Sequence, residues 1–296
     1  MTNLFLSVVS GLGPTMLALI STKLLRMMEK AGHGVNVLTS ISLTTLAMVG
    51  FAFVNDTDLF LAGKIAAATG KDMMVEFQEA LDRWLGGLIG TGGALSPSKS
   101  FCYLIDFVWT GDDWAYHSLE DLPGEFTLMD KNGNRDPLRR HEVYYVEKIL
   151  GVFISMDGNE DTEMTRLKAH SKLFANQIRT AKCSKNAALY TYNASFMKTI
   201  EYAMPDTQFS EVDWNRIAAP ALEPSLQKAG MVAKFPRRVL YRPDLYQGFQ
   251  VTHPYFNQEI FHIMTRMQES LIYPKPANYF AAPQKHSVWG LYSPSL

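Results

Sequence analysis

The chain has 296 residues, 47% of them hydrophobic, 12% aromatic and 19% charged, with a formal net charge of −1. That supplies the core of one large domain or two ordinary ones, and it excludes a disordered polar chain, a collagen-like repeat and a disulfide-stapled miniature fold. Two cysteines, Cys102 and Cys183, suit a reducing compartment.

The near-zero charge conceals an asymmetry. Residues 1–160 hold 12 basic and 19 acidic side chains, whereas residues 161–296 hold 16 and 10. Between Met164 and Ile200 stand Arg166, Lys168, Lys172, Arg179, Lys182, Lys185 and Lys198, with no acidic residue among them. Such a split fits a polyanion-binding lobe joined to an acidic one; the plainer alternative is a solvated helix face.

In chain order, Thr15–Lys30 has Met16, Leu19, Leu24 and Met27 at helical spacing, with Pro14 at its start and Gly32–Gly34 at its end. Residues 1–22 and 31–55 carry no formal charge with His33 neutral, and both approach the roughly 20 residues of a membrane span. The first is interrupted by Gly11, Gly13 and Pro14 and lacks the basic start of a secretory signal, so an intracellular chain, nuclear or cytoplasmic, is expected. The second is rich in Ser, Thr and β-branched residues and reads as buried strands over Ile41–Val54, with a membrane-associated protein anchored by residues 31–55 as the alternative. A polar turn at Asn55-Asp56 and a returning strand over Thr57–Ala62 follow.

A second helix is expected over Ala66–Leu88, with Met74, Phe77, Leu81, Leu85 and Leu88 on one face and Gly90-Thr91-Gly92-Gly93 stopping it. Ser100–Val108 reads as a strand, Phe126–Met129 opens a hairpin through Asn132-Gly133, and Tyr144–Met156 contains another strand. From Asp161 the chain turns helical to about Tyr202, with an apolar stripe of Met164, Leu167, Phe174 and Ile178. Beyond Pro205, frequent prolines and aromatics obscure the pattern, and the last twenty residues read as a loose tail.

The chemistry-bearing candidates are few. Asp56 stands at a hairpin tip, with Asp58 two residues along the same strand face. Carboxylates so placed can hold Mg²⁺, although alone the pair reads more simply as an Asx-type turn. Asp130–Asn134 and Asp157–Asp161 resemble half of a calcium loop but lack its glycine and its closing glutamate. The chain has no phosphate-binding glycine loop, no paired histidines at metal spacing and no nucleophile elbow.

Four segments in order resemble the reverse transcriptases of non-LTR retrotransposons. Gly11-Leu12-Gly13-Pro14-Thr15 with its helix is similar to the family's template- and nucleotide-positioning segment (motif B), and Phe53-Val54-Asn55-Asp56 stands where the family has an aromatic residue, any residue and two aspartates (motif C). Gly93 to Ser100 resembles the Gly-x-Leu-x-x-x-x-Lys segment (motif D), and Ile149-Leu150-Gly151-Val152-Phe153-Ile154 resembles the Leu-Gly-x-x-Ile strand at the palm–thumb junction (motif E).

The resemblance implies an α+β fold: a partial polymerase palm over residues 1–160, with an antiparallel sheet backed by helices, then a helical thumb over 161–205 and a poorly defined extension over 206–296. It implies RNA-templated DNA synthesis by two-metal nucleotidyl transfer, with Mg²⁺ as cofactor and an RNA template, a DNA primer or duplex, and deoxynucleotides as partners. Asn55 and Asp56 occupy the catalytic positions, Asp56 as the remaining metal ligand. Lys99 corresponds to the candidate general acid toward pyrophosphate. Gly11, Gly13 and Pro14 would position template and nucleotide, while Arg166, Lys168, Lys172, Arg179, Lys182 and Lys185 would track the duplex backbone.

The sequence departs from the pattern at chosen points. Motif A, with its aspartate, belongs before Gly11. Asn55 replaces the first aspartate of motif C, Val8 and Val9 replace a Gln-Gly pair, and Gly13 replaces a serine. The expectation is an N-terminally truncated, degenerate copy without polymerase activity. The alternatives are a non-catalytic nucleic-acid-binding remnant and a gene remnant that does not fold.

Overall fold

Helix α1 (Gly13–Lys30) begins the computed structural model, which describes residues 13–38, 45–53, 56–62, 69–130 and 133–272. The described chain divides after Tyr145 into two compact units. Both units mix helices with strands, and their sheets are small.

In the first unit, α1 is followed by β1 (Val35–Leu38) and β2 (Thr45–Met48), an antiparallel pair, and then by β3 (Gly50–Phe53) and β4 (Asp56–Leu59), a second antiparallel pair in which Phe53 stands opposite Asp56. Gly50 is required here, because a Cβ would lie 2.1 Å from the Asp58 carbonyl oxygen. Helix α2 (Gly70–Gly90) starts at Gly70 rather than at the expected Ala66. Thr69 closes a reciprocal capping box: its Oγ1 accepts from the Asp72 N–H at 3.3 Å while its own N–H donates to Asp72 Oδ2 at 2.9 Å. At the other end Gly92, at a φ of 83°, takes the left-handed conformation that lets the Gly93 N–H return to the Leu88 carbonyl at 3.0 Å.

Two apolar clusters use adjacent faces of α2. Ala80 and Trp84 pack with Leu24 and Met28 of α1, whereas Leu81 packs with Cys102, Phe126, Leu128 and Leu138. Leu19, placed on the buried stripe by spacing, is 56% exposed; Met28 takes that role. The expected strand over Ser100–Val108 is two shorter ones, β5 (Phe101–Tyr103) and β6 (Phe107–Trp109), and β6 pairs with β7 (Trp114–Tyr116). The expected hairpin is β8 (Phe126–Met129) with β9 (Arg135–His141).

The described strands form five small sheets rather than one antiparallel palm sheet, and β5 runs parallel to β9. Strand β9 explains part of this. Its first half pairs with β8 and its second half with β5, and Pro137, which has no N–H to donate, sits in the half that β5 leaves uncovered. Burial pushes the Cys102 thiol of β5 up to about 12, so it is an inert core side chain. Cys102 and Cys183 are both free thiols.

The second unit opens with β10 (Val146–Ile149) and β11 (Val152–Ser155). The single strand expected over Tyr144–Met156 folds back at Leu150-Gly151, whose φ values of 49° and 98° are those of a two-residue hairpin turn. Leucine is uncommon at positive φ, and the Tyr202 hydroxyl holds this one by donating to the Leu150 carbonyl. Helices α3 (Asp161–Thr180), α4 (Lys185–Thr191), a π-helical turn (Tyr192–Met197) and α5 (Lys198–Glu201) make up the expected helical stretch. Three further helices follow it: α6 (Glu211–Lys228), α7 (Arg237–Leu240) and α8 (Pro254–Ile272). One core joins all of this, from Val152 through Leu167, Phe196, Trp214 and Leu226 to Val251.

Both half calcium loops are turns: the Asp157 and Asp130 carboxylates accept from the backbone N–H groups of Asn159 and Asn134, at 2.9 and 2.8 Å. No helix among the described residues is long and apolar enough to cross a membrane. Within residues 31–55 the described segments are the short strands β1, β2 and β3. The final twenty residues and Gly11 lie outside the described residues.

Candidate nucleic-acid interface

The expected site residues fall into three groups that the structure treats differently. Asn55 lies outside the described residues, and Asp56 is the first residue of β4, its backbone opposite Phe53. Gly13 and Pro14 form the start of α1, where proline's missing N–H costs nothing. Lys99 ends a 3₁₀ turn (Pro97–Lys99) on a different element, its side chain exposed.

The donor set around Asp56 does not fit a pair of Mg²⁺ ions. A hard dication requires several oxygen ligands, with carboxylates supplying the charge. By sequence the hairpin offers the Asp56 and Asp58 carboxylates and the neutral amide of Asn55, short of the oxygen ligands that two dications need. Among the described residues no group of three or more His, Cys, Asp or Glu side chains could hold a metal. No metal-dependent step is derived from this hairpin.

The basic side chains of the second unit are better ordered. At 3.6 residues per turn, Lys168, Lys172 and Arg179 lie within about 40° of one another on α3. Lys172 and Arg179 are exposed and Lys168 is half-buried. The flanking side of the helix, about 100–140° round from the centre of the row, buries Leu167, Phe174 and Ile178. The row continues past the C-terminus of α3 through exposed Lys182 and Lys185. Lys185 is held beside Gly230, whose Cβ position would lie 3.3 Å from the lysine Nζ.

Lys228, at the end of α6, joins the row by donating to the Arg179 carbonyl at 3.1 Å. Arg179, in the last turn of this 20-residue helix, also complements its dipole.

Arg166 does not belong to this row. It projects about 120° or more away around the same helix. Its Nε donates to Glu163 Oε2 at 2.8 Å and its Nη2 to Glu163 Oε1. Glu163 is 0% exposed and also accepts from the Phe153 N–H at 3.2 Å. These hydrogen bonds to the carboxylate hold the Arg166 guanidinium above its ordinary pKa. Arg166 is therefore the counter-ion of a buried carboxylate, and it leaves the candidate interface.

Glu160, just before α3, has a different environment. It accepts from the Gln208 N–H at 2.8 Å, and burial, reinforced by Asp213 and Glu163, raises its carboxyl to about 7 from an ordinary 4.5. The folded state then binds this proton more tightly than the unfolded one, so the contribution is full below about 4.5 and lost as pH rises toward 7. Thermal melts should show stability falling across that window, by on the order of 1–2 kcal/mol after solvent screening. Glu160→Gln should flatten the profile and raise the melting temperature at pH 8; an unchanged slope in the variant would remove Glu160 as its origin.

Sequence reasoning missed the basic side chains of α6 and α7. A second acid-free run, Pro224–Pro243, contains Lys228, Lys234, Arg237, Arg238 and Arg242 and carries the same signal as the first. Comparison of the chain with protein-family models, with curated proteins and with solved structures gives no match.

Proposed function

We propose that the chain is a degenerate reverse-transcriptase-like protein whose second unit binds nucleic acid through its backbone and performs no polymerase chemistry. The observation that carries this reading is the row Lys168, Lys172, Arg179, Lys182 and Lys185, drawn out along one flank and one end of α3 with Lys228 beside it. Cations spaced along a line suit a phosphate backbone, and they offer no means of reading base edges. The partners in this reading are an RNA or an RNA–DNA duplex. The helical stretch that carries the row stands where the family resemblance puts a thumb, directly after the Leu150-Gly151 hairpin, and the β3–β4 hairpin supports a palm-like origin for the first unit. Asn55 in place of a metal-binding carboxylate supports the loss of catalysis.

Binding of a labelled RNA–DNA duplex to the whole chain should weaken steeply with salt. The triple variant Lys172→Glu, Arg179→Glu, Lys182→Glu should lower affinity about 100-fold at 50 mM salt and flatten the log–log salt slope by about 2–3 units. Unchanged affinity in a variant that melts like the parent would end this reading. Purified chain with Mg²⁺, primer, template and deoxynucleotides should give no extension, and robust extension would refute the catalytic half of it.

A further inference from the structure

A cleft of about 370 Å³ opens in the second unit where the N-terminal ends of α6 and α8 meet α7. Arg237 and Arg238 of α7 line it, followed by Tyr241. From α8 come Phe256 in the first turn and His253 immediately before the helix; from α6 come Glu211 and Asn215.

The polar accounting of this cleft does not close within the protein. Arg237 Nη2 donates to the Ala233 carbonyl at 3.3 Å, but Arg237 Nη1 is buried with no hydrogen-bond partner. His253 Nδ1 is buried and unpartnered as well, in a side chain only 7% exposed. Tyr192 is completely buried, its hydroxyl also lacks a partner, and it lies within electrostatic range of Arg237 and Tyr241. Buried polar groups are nearly always satisfied, so three orphans in one neighbourhood mark a missing partner.

The identity of the orphans restricts that partner. An arginine Nη can only donate, whereas a tyrosine hydroxyl and an imidazole nitrogen can donate or accept. The obligate donor, Arg237 Nη1, therefore calls for an acceptor oxygen. Arg237 and Arg238 outnumber the one carboxylate of the cleft, Glu211, whose Oε1 stands 3.9 Å from His253 Nε2. The local field thus favours an anion, and paired arginines favour a phosphate. The remaining wall is aromatic: the ring centroids of Tyr241 and His253 are 4.5 Å apart, and those of His253 and Phe256 are 4.8 Å apart. Such a surface suits a flat ring carried on the phosphate, and the volume falls within the range of small-ligand sites.

We propose that this cleft binds the phosphate of a nucleotide, with Arg237 and Arg238 as the phosphate ligands and the Tyr241, His253 and Phe256 rings against the base or sugar. The site is independent of the α3 row and of any polymerase ancestry. A terminal phosphate on a nucleic-acid strand presents the same chemistry as a free mononucleotide.

Calorimetric titration of the whole chain with adenosine monophosphate should show saturable one-to-one binding, and adenosine should bind about ten-fold more weakly or less. Arg238→Gln, at an exposed position, should weaken adenosine monophosphate about ten-fold without moving the melting temperature. Glu211→Gln should tighten it by removing the opposing charge. The Lys172→Glu, Arg179→Glu, Lys182→Glu variant should bind the mononucleotide as the parent does, which separates this site from the duplex-binding row. In the Lys172→Glu, Arg179→Glu, Lys182→Glu background, a 5′-phosphorylated oligonucleotide that binds more tightly than the mononucleotide, with its 5′-hydroxyl counterpart inert, would assign the phosphate to a strand end and support the site. Three results would overturn the proposal: no binding of adenosine monophosphate or inorganic phosphate at millimolar concentration, adenosine binding as well as its monophosphate, or full affinity in both Arg238→Gln and Arg237→Gln.

Discussion

Arg166→Met should destabilise the second unit by about 3–5 kcal/mol while changing duplex affinity less than about three-fold, although Arg166 belongs to the same acid-free run as the interface lysines. The reason is the Glu163 carboxylate, fully buried and bound by the arginine fork. Removing the guanidinium leaves a buried carboxylate with the Phe153 N–H but no counter-charge. Glu163→Gln tests the second half of that statement, because the amide oxygen can still accept from the Phe153 N–H. Arg166→Met in the Glu163→Gln background should therefore cost well under half as much as alone. Urea denaturation of the four proteins of this cycle measures the coupling directly. A loss of duplex affinity by Arg166→Met equal to that of Lys172→Glu, in protein still folded, would return Arg166 to the interface.

The next largest effect is expected at Gln258, which is 1% exposed. Its Oε1 accepts from Trp214 Nε1 at 2.7 Å, and its Nε2 donates to the Phe209 carbonyl at 3.0 Å. Gln258 thus links α8 to α6 and to the turn before it. Gln258→Leu keeps the volume and leaves both an indole N–H and a carbonyl buried without partners, which should cost about 2–4 kcal/mol. Trp214→Phe should cost less on the hydrogen-bond account, since it removes donor and demand together on one side, although it also trims a side chain at 0% exposure. A melting temperature unchanged by Gln258→Leu would show that the network adds nothing to the packing of α6 against α8.

Much of the architecture can be read from the chain, and the misreadings have physical causes. The α3 stripe is plain because Leu167, Phe174 and Ile178 recur at helical spacing and face one core. The start of α2 was read too early because Ala66 is a good helix former, whereas Thr69 with Asp72 makes the boundary. Helix α6 was invisible because Pro220 and Pro224 read as breakers. Pro224 is buried along with Trp214, Ile217, Ala221 and Leu222 of the same helix, and the burial of that face outweighs the roughly 3 kcal/mol of a mid-helix proline. Charge counting gathered Arg166 with the interface because the run was opened at Met164, one residue after the carboxylate that neutralises it. Nothing local in the sequence announces the cleft, since Glu211, Arg237 and His253 come together only through the packing of α6, α7 and α8.

The shared core of the second unit has a genetic consequence. The basic row that would grip a duplex ends at Lys228, yet the side chains that keep α3 in place run from Val152 to Val251. A frameshift or stop at the start of α6 would spare every codon from Lys168 to Lys185 and still erase their common flank, because Trp214, Leu222 and Leu240 of the shared core would be lost. If binding is what keeps this gene under selection, purifying selection should therefore extend well past the basic codons, into the stretch whose sequence looks least constrained.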